Sequence, residues 1–198
     1  MSKKESTFIN MVVSLLLITL ISGFALGFVN DLTLEPKAKA KLSKKINAIK
    51  QVLPEFNNNP VVDVKKIKIE NTADSIEVYP AFNNGEFVGA AITSYSEKGF
   101  SGQIKIMVGF KPDGSIKNIA VLEQKETPGL GTKMKDEVFL QQFRDKNAGN
   151  YNLKVRKDGG DVDALTGATI SSRAFTEATQ MAYDAFLNNL SSINQSKP

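Results

Sequence analysis

The chain has 198 residues, 41% of them hydrophobic, which suits one globular domain with an appendage. It contains no His and no Cys, which excludes a Ser-His-Asp relay, a thiolate nucleophile, cysteine-based metal sites and disulfides. Residues 1–50 carry eight Lys and three acidic residues, a net charge of +5, whereas the remainder has 17 basic and 18 acidic residues. Because the basic charge lies outside the folded part, we predict no nucleic-acid partner. Demanding chemistry would require a cofactor.

An uncharged apolar segment, residues 8–30, follows a short N-terminal tail at 1–7. Such a length crosses a hydrocarbon layer of about 30 Å as a helix. A cleaved signal peptide is the alternative, since Lys3 and Lys4 precede the segment. Signal peptides have shorter apolar cores and end in a small-x-small site, and "ALGFVN" is a poor one. We therefore predict a retained transmembrane helix.

Residues 31–56 form a predicted basic amphipathic stalk helix with Pro36 near its first turn. Its Lys face either contacts anionic lipid or stays solvated while the apolar face docks on the domain, and docking is the plainer interpretation. The positive-inside count does not set the orientation, because two Lys precede the membrane segment and five follow it at 37–45. The apolar stripe consists of Ala38, Leu42, Ile46, Ile49 and Leu53.

Residues 57–190 are predicted to form an α+β domain. Alternating segments, joined by turns at Asn83-Asn84-Gly85 and Pro112-Asp113-Gly114, indicate an antiparallel meander with one buried face. A Gly-rich loop and a short helix come next. A final helix is predicted over about 172–190, and 191–198 are predicted to be a disordered tail.

A segment of small and hydroxyl residues, "DALTGAT" at 163–169, lies just before the last predicted helix. Helix N-termini favour anions, and Gly167 and Ala168 leave room for a phosphorylated group. The alternative is that Thr169, Ser171 or Ser172 is an ordinary N-cap. The pattern alone leaves both interpretations open.

A second Gly-rich segment, "TPGLGTK" at 127–133, is not a nucleotide motif. It lacks the GK[ST] ending of a P-loop, and no third Gly follows Gly129 and Gly131 at the dinucleotide spacing. From the residues alone it is a tight loop whose backbone could contact a planar ligand, or an ordinary turn.

Taken together, these segments resemble the FMN-binding domain family. "DALTGAT" looks like its D-x-x-[ST]-G-A-T motif, "ETPGLGTK" at 126–133 like its second signature, and "GFSGQIKIMVGFKPDG" at 99–114 like its glycine-marked strand. The resemblance implies FMN joined to Thr169 by a phosphoester bond that a separate flavin transferase makes. It also implies that Thr166, Gly167 and Ala168 shape the phosphate end.

The same resemblance implies contacts with the flavin ring. Thr127, Gly129 and Leu130 would lie along the isoalloxazine ring, and Gly99 and Gly102 would let the ring approach the strand.

Lys157 is similar in position to a flavin-contacting Lys of the family. A positive charge at the N1/O2 edge stabilises anionic reduced flavin. Arg156 is a rival for that position, and a merely solvated Lys157 is the plain alternative. Glu126 is expected to order its loop.

A single membrane helix followed by these motifs is similar to the G-subunit family of the Rnf electron-transport complex; the C subunits of sodium-pumping NADH:quinone reductases are near relatives. This implies a one-electron carrier in a complex that couples ferredoxin oxidation and NAD reduction to ion movement, with no such catalysis by the carrier alone. Neighbouring proteins of the complex, a flavin transferase and membrane lipid would be its partners.

The implied location is the bacterial inner membrane, with the domain on the extracytoplasmic side, where a tether prevents flavin loss. Three alternatives stay open: the corresponding C subunit of the quinone reductase, a membrane-anchored adaptor without flavin, and an FMN reductase acting on a small acceptor.

Overall fold

A computed structural model describes residues 7–68 and 75–194. The chain divides into two compact units, Met1–Ser43 and Lys44–Pro198, which are described separately. Helix α1 begins in the first unit and ends in the second. The elements in chain order are α1 (Phe8–Val52), β1 (Lys65–Lys68), β2 (Ser75–Asn83), β3 (Glu86–Gly99), β4 (Gly102–Phe110), β5 (Ile116–Glu123), a 3-10 turn (Gly131–Lys135), α2 (Glu137–Leu140), a second 3-10 turn (Arg156–Asp158) and α3 (Thr169–Asn194).

The described part of the first unit is almost entirely α-helix, and its apolar stretch at 8–30 has exposed side chains. Side chains such as Leu20 and Phe24 are 70% and 75% exposed. By length and composition this helix could cross a membrane, and its most apolar window has no buried residue. An apolar helix surface of this size in water would be unfavourable, whereas lipid would cover it.

Helix α1 does not break between the predicted membrane segment at 8–30 and the predicted stalk helix at 31–56. Pro36 lies inside the helix, and the helix continues to Val52 rather than to residue 56. Leu53 precedes Pro54, and a residue before proline is disfavoured in the helical conformation, which explains the end. Of the predicted apolar stripe, Leu42 is 51% exposed, whereas Ile49 and Leu53 are buried.

The second unit is built on a five-stranded sheet with the order β1-β2-β3-β4-β5. Every neighbouring pair is antiparallel, as the sequence predicts. The β2–β3 turn places Asn84 and Gly85 at φ 51° and 81°, as a two-residue hairpin with right-handed strand twist requires.

Both faces of the sheet are buried, so the prediction of one buried face was wrong. On one face α3 and the short helix α2 cover a core that includes Phe110, Phe175 and Phe186. On the other face the last turns of α1 pack on small and apolar side chains. That second layer consists of Ala48, Ile49, Val52, Leu53, Tyr79, Ala81, Ala91, Met107, Ala120 and Leu122.

Helix α3 is longer than predicted at both ends. It starts at Thr169 instead of about 172, and it continues through 191–194, where a disordered tail was predicted. The buried side chain of Ile193 gives the last turn a contact with the core. Residues 195–198 of the predicted tail, and 1–6 of the predicted N-terminal tail, lie outside the described residues.

Candidate functional site

Three segments that the sequence analysis singled out meet at the carboxylate of Glu126. The backbone N–H of Ser101, in the β3–β4 turn, donates to Glu126 Oε1 at 2.9 Å. The hydroxyl of Ser171, in the first turn of α3, donates to Glu126 Oε2 at 2.5 Å. Glu126 itself precedes the "TPGLG" loop and is only 4% exposed. The carboxylate therefore connects the turn, the loop and the helix.

Two glycines are required because they pack against Glu126. A Cβ on Gly99 would lie 2.2 Å from the carbonyl oxygen of Gly102 and 2.8 Å from Glu126 Oε1. A Cβ on Gly131 would lie 2.7 Å from both Glu126 Cβ and Ser171 Oγ. Real Cβ atoms do not approach other atoms this closely. Gly131 is therefore required by Glu126 and Ser171, whereas Gly99 is required first by the Gly102 carbonyl and in addition by the Glu126 carboxylate.

The loop at 127–131 is a tight, internally bonded turn. The carbonyl oxygen of Thr127 accepts the N–H groups of Leu130 and Thr132 at 3.2 and 3.4 Å. Gly129 has φ 76°, and its N–H donates to Thr132 Oγ1 at 2.9 Å. The sequence analysis missed the role of Thr132, although a hydroxyl residue at the end of a Gly-rich turn is a common signal for such a bond.

Leu130 brings this loop to the "TGAT" segment. Gly167 has φ 74°, and a Cβ there would lie 3.3 Å from Leu130 Cδ2. Leu130 is nevertheless 43% exposed. The outward part of its side chain is thus available to a ligand lying beside Thr166 and Gly167, which are both exposed.

The start of α3 does not use Thr169 as a side-chain cap. Thr169 is the first helical residue, and within 7–68 and 75–194 no hydrogen bond of its hydroxyl is found. Ser172 turns inward: its hydroxyl donates to the carbonyl of Ala168 and accepts the N–H of Leu165, both at 2.9 Å. With Ser171 bonded to Glu126, the half-buried Thr169 keeps an uncommitted hydroxyl at a helix N-terminus.

Lys157 lies in the 3-10 turn at Arg156–Asp158, which two ion pairs hold in place. Arg156 Nε lies 2.9 Å from Asp163 Oδ1. Asp158 accepts two hydrogen bonds of 2.7 Å from Arg173 on α3, and these hold the pKa of the Asp158 carboxyl below its ordinary value.

Lys157 is exposed, and the described residues offer it no ion pair and no hydrogen bond to the Glu126 cluster. Arg156, its rival, is already paired with Asp163. Lys157 thus lies on a turn that is held to Asp163 of the "DALTGAT" segment and to Arg173 of α3. Among the described residues, no hydrogen bond or ion pair joins Lys157 to the other predicted site residues.

The strand end before the β3–β4 turn is also fixed, by Glu177 on α3. Ser96 Oγ donates to Glu177 Oε2 at 2.7 Å and Lys98 Nζ to Glu177 Oε1 at 2.6 Å. Burial opposes the charge on Glu177, but the hydrogen bonds outweigh it and lower the pKa of this carboxyl.

Around the Glu126 cluster the surface is apolar and open. Phe100, Leu130 and Ile170, one from each converging segment, are 67%, 43% and 47% exposed. Gly102 at φ 110° and Gly129 at φ 76° have no atom within 4 Å of where a Cβ would lie. Open glycine backbone, uncovered apolar side chains and an uncommitted hydroxyl fit a planar phosphorylated cofactor such as FMN. No cluster of three or more possible metal ligands occurs in the described part of the chain.

Comparisons with known proteins show which family the chain belongs to. A model of the FMN-binding domain matches residues 99–184. The chain is 31% identical over 185 residues to the G subunit of the Na(+)-translocating ferredoxin:NAD(+) oxidoreductase complex of Acetobacterium woodii, covering 88% of this chain and 89% of that protein. It is 32% identical over 189 residues to the G subunit of the ion-translocating oxidoreductase complex of Shewanella baltica, covering 90% and 89%.

Among solved structures, NqrC of Shewanella oneidensis is similar to this chain. The two are 23% identical, the match covers 71% of this chain and 70% of that one, and the TM-score is 0.49.

Proposed function

Because the chain belongs to the G-subunit family of ion-translocating oxidoreductase complexes, we propose that it is the FMN-carrying electron-transfer component of such a complex. The FMN would be joined to Thr169 through a phosphoester bond. The observation that carries this proposal is the meeting of Gly99–Gly102, the 127–131 loop and the start of α3 around Glu126, with the Thr169 hydroxyl uncommitted.

The hydroxyls of this region differ in how available they are for attachment. Ser171 and Ser172 are 1% and 0% exposed, and both are hydrogen-bonded inside the protein. Thr169 is half-buried at the helix N-terminus, where backbone N–H groups and the helix dipole favour a phosphate. Thr166 is the exposed competitor two residues before the buried Ala168. These features support Thr169.

The remaining predicted residues would hold the flavin without forming bonds to it. Leu130 offers an apolar surface, and the backbones of Gly129 and Gly102 offer close approach. Thr127, Gly99 and Gly167 keep the loop, turn and phosphate end in the conformation described. Bound FMN supplies the redox chemistry. Lys157, which has no ion pair among the described residues, would favour the negative charge of reduced flavin.

The membrane helix would anchor the domain in the bacterial inner membrane. We propose an extracytoplasmic domain, because a covalent tether retains a cofactor that would otherwise diffuse away there. The proposed organisation is a membrane segment at 8–30, a basic connection that starts at 31, and an FMN-binding domain over 57–190 to which the buried last turns of α1 and α3 also belong. Partners would be neighbouring redox proteins of the complex, membrane lipid and, during maturation, a flavin transferase.

The test is the mass of one tryptic peptide. Cleavage after Lys157 and Arg173 releases residues 158–173, which contain Thr166, Thr169, Ser171 and Ser172. With a flavin transferase and FAD, we expect a mass excess of FMN less water on this peptide, located by fragmentation at Thr169. Without the transferase there should be none.

Thr169→Ala should abolish the excess, whereas Thr166→Ala, the matched control, should keep it. A modified Thr166, or no modification of the unaltered chain, would refute the covalent assignment. The second outcome would favour an adaptor without flavin.

A further inference from the structure

We propose that Glu126 is a positioning residue for the flavin: its buried carboxylate ties three segments into one surface before any cofactor is attached. We call this surface the flavin platform and define it as residues 99–102, 127–131 and 169–172. This inference rests on the proposed function. It goes beyond that function by assigning the assembly of the site to one buried side chain other than the attachment residue.

The two carboxylate oxygens have separate partners on separate elements. Oε1 accepts from the backbone of Ser101 at 2.9 Å, and Oε2 accepts from the side chain of Ser171 at 2.5 Å. The backbone N–H of Glu126 donates to Gln124 Oε1 at 2.5 Å, which fixes the base of the side chain. A shift of any one segment would therefore break a buried hydrogen bond.

The surroundings allow the carboxylate little other freedom. Sites for a Cβ on Gly99 and Gly131 lie 2.8 Å from Oε1 and Oε2, respectively, so these glycines line the two sides of the group. Within the residues the structure describes, Glu126 has no ion pair. Its carboxylate is held by two donors alone, which makes each of them costly to lose in so buried a place.

The chemistry of the group can be tested because both partners are donors. An ionised carboxylate only accepts, whereas the Gln amide has one accepting and one donating end. Glu126→Gln can keep the Ser101 bond but must turn the Ser171 hydroxyl around. Glu126→Ala removes both bonds, and Ser171→Ala removes one of them with the carboxylate intact. We expect the largest effect from Glu126→Ala, a smaller one from Ser171→Ala and the smallest from Glu126→Gln.

The first experiment uses the full chain in detergent without flavin. Amide hydrogen exchange is measured for peptides covering the three parts of the flavin platform. In Glu126→Ala we expect exchange at least about tenfold faster in all three, consistent with loss of buried hydrogen bonds to a charged group. Glu86→Gln changes an exposed carboxylate at the other end of β3 and should leave all three unchanged. Faster exchange in only one segment would overturn the proposal.

The second experiment uses chains that carry FMN. Unaltered protein should show a resolved flavin absorption band and restricted quenching of flavin fluorescence by iodide. Ser171→Ala and Glu126→Ala should carry FMN on Thr169 but lose the band resolution and be quenched more strongly. An unchanged spectrum with unchanged quenching in both variants would overturn a positioning role.

These arms separate the two proposals. If the unaltered chain carries no FMN at Thr169, the covalent assignment fails, and hydrogen exchange alone still decides whether Glu126 couples the three segments. If Glu126→Ala does not fold, Ser171→Ala provides the same readouts with the carboxylate present. In that case normal exchange and a normal spectrum in Ser171→Ala would overturn the proposal.

Discussion

The layers that cover the two faces of the central sheet differ in the size of their side chains. On the α3 side the core contains large rings that the helical layer contributes: Phe139, Phe143 and Phe175, from α2, the segment after it and α3, have centroids 5.2 to 5.4 Å apart. The face under the end of α1 contains small side chains such as Ala81 and Ala91. A thick aromatic core can hold the start of α3 and the flavin platform rigidly. On the α1 side, the small side chains of Ala81 and Ala91 on the strands let the helix lie close to the sheet.

The two faces also differ in their polar contacts. Under α1, Glu77 accepts hydrogen bonds from Lys45 at 2.8 Å and from Tyr79 at 2.7 Å. On the α3 side the comparable carboxylates, Glu126 and Glu177, bond to segments of the candidate site itself. The polar contacts of one face thus attach the end of α1, and those of the other shape the site. Substitutions on the two faces should have separable effects.

Phe175→Ala should give the largest effect, on the α3 face. Phe175 is fully buried and its ring lies 5.2 Å from those of both Phe139 and Phe143. Removing a buried ring leaves a cavity, and we expect a loss of about 3–5 kcal/mol in the free energy of unfolding. Urea unfolding of the full chain in detergent measures it. Flavin attachment should decline with the folded fraction, and an unfolding free energy within error of the unaltered protein would contradict this core.

Gly109→Ala tests the α1 face. A Cβ at Gly109 would lie 2.0 Å from the carbonyl oxygen of Val52, so the end of α1 must move away from β4. Overpacking of this kind costs about 1–3 kcal/mol, which the same urea series measures. Lys117→Ala, at an exposed position of β5, is the control.

Because the flavin platform lies on the other face, Gly109→Ala should leave the spectrum of the attached flavin unchanged. A changed spectrum would mean that the two faces are not independent.

The sequence predicts much of this fold, because its signals are local. Alternation along β4 places Ile104, Ile106 and Val108 in the α3 core, and the Asn84-Gly85 turn forms as expected. The same alternation was misleading on the opposite side. Met107 and Gly109 alternate with these residues, and the pattern predicts that they lie on a solvent-facing side of the strand. Both instead lie under the end of α1. Local alternation does not predict which helix packs on a strand, because that contact joins residues far apart in the sequence.

The candidate site shows the same limit. Motif resemblance predicts Thr169, Leu130 and the glycines as site residues, and Glu126 was expected only to order its own loop. The bonds from Glu126 to Ser101 and Ser171 span 25 and 45 residues of sequence. No spacing rule links positions so far apart. The N-cap alternative needed the structure as well, since it depends on which way the Ser171 and Ser172 hydroxyls point.

The third prediction concerns acid sensitivity of the α1 face. Burial opposes the charge on Glu77, but hydrogen bonds from Lys45 and Tyr79 outweigh it and lower its pKa below the ordinary 4.5. A lowered pKa means that the ionised group stabilises the fold above its unfolded pKa. That contribution is lost as the pH falls through the folded value.

Glu77→Gln should therefore reduce stability at pH 7 by about 1 kcal/mol, a value discounted for partial exposure. The gap to the unaltered protein should begin to narrow below pH 4.5 and should close once the pH is below the lowered pKa of Glu77 in the folded protein, since both then lack the charge. Thermal unfolding at a series of pH values measures this, and a gap independent of pH would contradict it.

The smallest effect on the thermal midpoint is expected for an exposed ion pair on the α3 side, Arg173 with Asp158. Glu177, another carboxylate on this side, which α3 itself contributes, is the comparison. Arg173 and Asp158 form a two-bond pair at the surface, with side chains 49% and 37% exposed. Water and salt screen such pairs, so Arg173→Gln should leave the thermal midpoint nearly unchanged. Glu177→Gln should lower it, because the hydroxyl of Ser96, a residue only 3% exposed, would lose a charged acceptor, as would Lys98. Equal losses in the two variants would mean that burial does not determine which polar contacts hold the site side of the sheet together.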